Sequence, residues 1–203
     1  MIKFKSLFFK FLVIIKNIFF MPVYWLVYFS KRYYLIYSSV KNYKEFEAKK
    51  DYPNFIQVEN AKEHISYLAE IYCVGKGVDI GGGANPFNKA RNIDDNFEEN
   101  AYKINERENS LDYVFSSHCL EHLKRPFKSL IEIKRVLKKE GILFLYLPHP
   151  GTKIWRKEIL KFHEWQPTPK KLLRMMRYLK FEIVASSFIP DGYQSFYLIV
   201  KNK

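Results

Sequence analysis

The sequence predicts an α/β fold: a mostly parallel sheet closed at its C-terminal end by an antiparallel hairpin, preceded by an apolar, basic helical segment. Three observations carry that prediction. Short apolar stretches run directly into small or acidic residues, amphipathic helical patterns lie between them, and two final strand-like stretches are joined by Ile189-Pro190-Asp191-Gly192, a turn with ordinary Pro, Asp and Gly chemistry. The element around which the rest is arranged is Val78-Asp79-Ile80-Gly81-Gly82-Gly83-Ala84-Asn85-Pro86. Here a strand meets an acid and then three consecutive glycines, which let a backbone turn sharply and approach a ligand with no Cβ in the way.

Before that strand, Glu59 to Tyr72 carries apolar residues Ala61, Ile65, Leu68, Ala69 and Tyr72 at spacings of three and four, a helix laid on the sheet, with Gly75 and Gly77 ending it. Only Ala84 to Arg91 separate the glycines from the second strand, Asn92-Ile93-Asp94-Asp95. A parallel crossover normally needs a dozen residues or more, so its helix is expected to be lost or cut to a turn. Tyr102 to Ile104 reads as a brief strand. Asp112 to Phe115 is a buried parallel strand, and Ser116, Ser117 and His118 lie just past its end, where ligands bind in open α/β sheets. Pro126 opens a helix through Lys139 that Gly141 stops. Ile142 to Leu147 is the next strand, and Pro148-His149-Pro150-Gly151 its exit loop. A loop with Trp155, His163, Glu164 and Trp165 leads to a helix over Lys170 to Leu179, then to hairpin strands over Phe181 to Phe188 and Tyr193 to Val200.

Three motifs in this order, the glycine loop, Asn92-Ile93-Asp94 and Ser110 through His122 with its Ser116-Ser117-His118-Cys119-Leu120-Glu121-His122, resemble the class I S-adenosylmethionine (SAM)-dependent methyltransferases. The match is to the small bacterial group that reads D-x-G-x-G-x-N-P, N-x-D and S-x-D-x-x-x-S-S-H-x-L-E-H and is associated with surface polysaccharide synthesis. The resemblance runs from about Lys76 to the C-terminus. It implies a Rossmann-like sheet, SAM as cofactor, and cofactor contacts from Asp79, Gly81, Gly82, Gly83, Asn85, Asp94, Ser116, Ser117 and His118, with Asn105-Glu106 near the adenine. SAM carries no phosphate, so loop backbone groups and carboxylates suit it without a helix dipole aimed at pyrophosphate.

Methyl transfer to a hydroxyl needs an in-line nucleophile and a route for its proton. His118, His122, His149 and His163 are the candidates, with His118 and His149 at strand ends, His122 one turn into a helix and His163 in a Trp-rich loop, and His149 or His163 is the expected base. No metal site is expected, because His118 and His122 form the only close pair and no third ligand follows them in sequence. Cys73 and Cys119 lie far apart beside apolar residues and read as thiols of a reducing compartment.

The chain has 203 residues, 48% hydrophobic and 18% aromatic, enough for one full core and an appendage. Residues 51–203 are the expected methyltransferase domain. Of the +13 net charge, +8 falls in residues 1 to 50, where ten Lys/Arg face only Glu45 and Glu47. Leu7 to Ile15 and Ile18 to Phe29 are apolar runs broken by Lys10, Lys16 and Pro22. Neither reaches the roughly 20 residues of a spanning helix, and no small-residue cleavage site follows. An interfacial anchor on an anionic membrane fits this pattern, and a hairpin packed on protein is the alternative. The expectation is a peripheral protein at the cytoplasmic membrane face that methylates a sugar or glycan hydroxyl. A lipid or quinone-like acceptor, or a non-catalytic adaptor on the same fold, are the other readings. Nucleic acid is not an expected partner, since no basic and aromatic stripe marks the core.

Overall fold

The structure is a computed structural model that describes residues 62–88, 90–151, 162–187, 189–191 and 193–203. The expected N-terminal anchor, and the division of the chain at residue 50, lie outside the described residues. Helix α1 (Lys62–Tyr72) leads into strands β1 (Gly77–Ile80), β2 (Arg91–Ile93) and β3 (Leu111–Ser117). After a single helical turn at Leu120–His122 come α2 (Pro126–Val136), β4 (Leu137–Pro148), α3 (Pro169–Tyr178), β5 (Phe181–Ser186) and β6 (Ser195–Asn202). The strands form one six-stranded sheet in the order β2-β1-β3-β4-β6-β5. The first four are parallel, while β6 runs antiparallel to both β4 and β5, so the parallel sheet and its terminal hairpin are as the sequence predicts.

Side chains alternate across each strand, and the two faces differ in character. Val78, Ile80, Val114, Leu143, Leu145 and Leu147 face an aliphatic core completed by Leu130, Ile133 and Val136 of α2 and by Leu172 and Met176 of α3. Tyr113, Phe115, Phe144, Tyr146 and Ile199 face an aromatic core under Ile65 and Ala69 of α1.

The short β1–β2 connection contributes no helix among its described residues, as its length demands. Its place on the aromatic face is taken by Phe87, which is 2% exposed and stacks on Phe115 at a centroid distance of 4.5 Å. One aromatic ring thus covers the area that a crossover helix would cover.

Beyond shifts of one or two residues at strand ends, two elements differ from expectation. Tyr102 to Ile104 adds no strand to the sheet; only an isolated antiparallel bridge joins Asn100 to Lys103. Helix α2 ends at Val136 rather than Lys139, because Leu137 pairs with Leu111 as the start of β4. A tertiary pairing here overrides a helical pattern that local residues would continue. Helix α3 begins as its residues suggest: Pro169 stands at its first turn, and Thr168 caps it by accepting a hydrogen bond from Lys171 N at 3.1 Å.

Candidate active site

All four parallel strands point their C-terminal ends at one edge, and the sequence-predicted residues gather there in two groups. The first is the β1–β2 loop. Asp79 is 1% exposed, and its Oδ2 accepts a hydrogen bond from Phe87 N at 2.7 Å. Its Oδ1 is buried and accepts none from a described residue. Burial raises the Asp79 pKa to about 6, opposed by the Phe87 N–H and by the Lys62 ammonium.

Gly82 shows why a glycine is needed. A Cβ there would lie 2.7 Å from both Asn92 Oδ1 and Asp79 Oδ2 and 2.9 Å from Pro86 Cα. Gly83 has a φ of +58° and open space around it. Asn92 ties the loop together: its Oδ1 accepts from Gly82 N at 3.1 Å, and its Nδ2 donates at 2.7 Å to both Gly83 O and Asp94 Oδ2. Asp94 Oδ1 accepts in turn from Gly83 N at 3.2 Å. Lys62, buried at the start of α1, donates to the carbonyls of Asn85 and Pro86. Asp79, the three glycines, Asn85 and Asp94 therefore belong to one braced loop. Lys62 is a brace that the sequence did not single out, and Asn92, the first residue of the Asn92-Ile93-Asp94 motif, is the other.

The second group is at the end of β3. Ser116 Oγ donates to Ile80 O at 2.9 Å, which locks the ends of β3 and β1 together, while the buried Ser117 hydroxyl has no hydrogen-bond partner among the described residues. His118 adopts φ +50°, a left-handed conformation costing about 1 kcal/mol for a residue with a Cβ, and it is held there by its N–H to Tyr146 O at 2.8 Å. Its Nε2 lies 2.9 Å from Ser195 Oγ, and that hydroxyl donates to Tyr193 O. The serine therefore accepts from His118 Nε2–H, which leaves the Nδ1 lone pair facing Glu121 Oε1 at 3.5 Å. Burial lowers the His118 pKa to about 3, helped by His163 and His122, so the ring is neutral at pH 7.

Glu121 is fully buried. Neither carboxylate oxygen accepts a hydrogen bond from another described residue, and burial raises its pKa to about 8 against the pull of its own N–H. His122 Nδ1 lies 3.3 Å from Phe162 O, so that nitrogen carries the proton and Nε2, 3.8 Å from Glu121 Oε1, carries a lone pair. His163, 1% exposed, packs its ring against His122 at 4.9 Å. Its loop is pinned by Glu164 N and Trp165 N, which both donate to Glu121 O, and by the Trp165 indole, which donates to Leu120 O at 2.7 Å. Trp165 is thus a brace against the core.

His149 follows β4. Its N–H donates to Gln194 O and its Nδ1 accepts from Gly151 N at 3.1 Å, an arrangement that puts the ring proton on Nε2 and makes that nitrogen a donor. The structure thus brings His163 together with Glu121 and His122, while His149 contacts Gln194 and Phe196 at the start of β6. Asn105 and Glu106 lie elsewhere. Glu106 pairs with Lys76 and Arg91, which precede β1 and open β2, and so it stands at the opposite edge of the sheet from the glycine loop.

Residues 61–145, which contain the β1–β2 loop and the end of β3, match the family described as "Methyltransferase domain". Over that stretch the chain is similar to methyltransferase domains. Solved structures repeat the fold. A SAM-dependent methyltransferase from Aquifex aeolicus is 13% identical, with a TM-score of 0.55, covering 74% of this chain and 98% of its own. One from Archaeoglobus fulgidus is 16% identical, with a TM-score of 0.53, covering 75% and 100%. A chain of the complex between the Haloferax volcanii Trm112 methyltransferase activator and its methyltransferase is 11% identical, with a TM-score of 0.55, covering 76% and 99%. Comparison with curated protein sequences finds no match.

The residues fit SAM. The orphaned Asp79 Oδ1 is a buried acceptor suited to an ammonium, Asp94 presents an exposed carboxylate suited to ribose hydroxyls, and Gly82 leaves the loop backbone open to close approach. When bound, SAM supplies a sulfonium methyl group to an in-line nucleophile.

Proposed function

We propose that the protein methylates a hydroxyl of a sugar or glycan intermediate at the cytoplasmic face of the membrane. The observation that carries the acceptor side is the cluster of Glu121, His122 and His163 at the end of β3, on the same sheet edge as the SAM loop. A hydroxyl is a weak nucleophile and gains from a group that handles its proton, whereas an amine or a thiolate needs less help. His149, with its Nδ1 engaged by Gly151 N, serves as a donor to the acceptor rather than as its base. The Glu121 cluster is the group that deals with the proton. Support for a membrane-proximal glycan comes from the resemblance to the polysaccharide-associated group and from the apolar N-terminal segment with its +8 charge.

The test is transfer of labelled methyl from SAM to material extracted from membranes, separated into glycan and lipid fractions. Label released with sugar O-methyl ethers after acid hydrolysis is the expected result. Label on a lipid or quinone, or on nitrogen, would overturn this acceptor assignment and leave the methyltransferase domain standing.

A further inference from the structure

At the end of β3 the side chains of Glu121, His122 and His163 converge around a buried carboxyl group that no described residue hydrogen-bonds. The ligand atoms of Glu121, His122 and His163 all lie within 4.8 Å of one another. Neither oxygen of Glu121 accepts a hydrogen bond from another described residue, although the residue is fully buried. His122 turns its unprotonated nitrogen toward that carboxylate, because Phe162 O takes the proton of the other. A buried carboxyl group is as a rule paired, protonated or bound to a metal, and this one has no hydrogen-bond partner or cation among the described residues. Two imidazoles and one carboxylate are the donor set of a zinc-like catalytic centre, with three protein ligands and an open fourth position. The supporting contacts are of the kind that orient such ligands: the backbone carbonyl of Phe162 on His122, and the Glu164 and Trp165 N–H groups that pin the His163 loop to Glu121 O. His122, with its side chain 38% exposed, marks the side open to solvent and substrate. Bonds of about 2.1 Å would require only a small contraction of the cluster.

We infer that Glu121, His122 and His163 bind a divalent transition-metal ion of the zinc class, which holds and activates the acceptor's hydroxyl oxygen. The inference rests on the hydroxyl-methylation reading and deepens it. A cation here lowers the pKa of a bound hydroxyl, so the proton passes to water and the oxygen keeps the electron pair that forms the new bond to the methyl carbon, while the sulfonium S–CH3 bond breaks and its pair returns to sulfur, which leaves as a neutral thioether. No strong protein base is then required, which fits the engaged His149.

The test uses Co2+ as a spectroscopic stand-in for Zn2+, titrated into the metal-stripped full chain. One equivalent should bind with the intense visible bands of a tetrahedral or five-coordinate nitrogen and oxygen site, and Zn2+ should displace it. Glu121→Gln and His163→Asn should each weaken binding at least 100-fold, while His64→Gln, on α1 and outside the cluster, should leave it intact. Thermal unfolding with and without Co2+ provides a second readout: the wild type should gain stability on binding, and Glu121→Gln, folded by circular dichroism, should gain none. Absence of Co2+ binding by folded wild type, or binding undiminished in Glu121→Gln, would overturn the inference and leave Glu121 as a neutral buried acid. SAM binding, measured on the same stripped protein, separates that failure from failure of the methyltransferase reading.

Discussion

The two halves of the ligand edge are built in opposite ways. In the β1–β2 loop most polar groups are matched: Asn92 gives to Gly83 and Asp94 and takes from Gly82, Asp94 takes from Gly83, and Lys62 holds two carbonyls. At the end of β3 His118 Nδ1 and His122 Nε2 stand 3.5 and 3.8 Å from a Glu121 carboxyl group that makes no hydrogen bond to another described residue. The first arrangement is a preformed mould whose shape survives without its ligand. The second is complete only when something positive sits in it. The difference separates what the chain does for a cofactor that must be held from what it does for an acceptor that must be activated.

The largest expected effect comes from removing the loop's footing. Phe87→Ala opens the space left by the missing crossover helix and should cost about 3–5 kcal/mol of unfolding free energy in urea, whereas truncations on the cluster side should cost less. The loop also carries a pH signature. Asp79 has its folded pKa raised to about 6, so the folded state holds the proton more tightly than the unfolded state does. Its contribution is therefore fully present below about pH 4 and lost as pH rises through about 6, by at most about 3 kcal/mol. Asp79→Asn should flatten that slope in a difference curve against wild type. An ammonium from SAM favours the ionised form, so SAM affinity should rise with pH over the same interval.

Two glycine substitutions sharpen the comparison within the loop. Gly82→Ala drives a Cβ into Asn92, Asp79 and the Pro86 backbone, and should cost about 1–3 kcal/mol together with most of the SAM affinity. Gly83→Ala meets nothing and should cost only the roughly 1 kcal/mol of a left-handed residue. The smallest effect belongs to the cluster: without metal, Glu121→Gln should be close to neutral in urea at pH 7, because the amide, like the protonated acid it replaces, is uncharged and can donate to a facing imidazole nitrogen.

The braced loop was legible because its parts are close in sequence and each has a chemical reason to be where it is: an acid at a strand end, glycines in a turn, an Asn-x-Asp at the next strand end. The parallel sheet was legible from uninterrupted apolar runs such as Tyr113 to Phe115 and Leu143 to Leu147, and the lost crossover helix from the length of Ala84 to Arg91. The cluster was not legible as a unit. Glu121 looks like any acid inside a motif, and the ligand missing beside His118 and His122 is His163, which arrives from a distant loop through backbone bonds to Glu121 O that no local pattern encodes. Asn105 and Glu106 were misplaced because the strand expected before them is absent from the sheet, and charge pairing with Lys76 and Arg91 draws Glu106 to the far edge.

The most direct test of the central claim, that the β1–β2 loop is the SAM site, is calorimetric titration of SAM into the full chain beside Asp79→Ala and Asp94→Ala. Wild type should bind with micromolar affinity, about −8 kcal/mol, and both variants should lose that binding while their circular dichroism stays native. A folded wild type that binds no SAM, or variants that bind it as tightly as wild type, would contradict it.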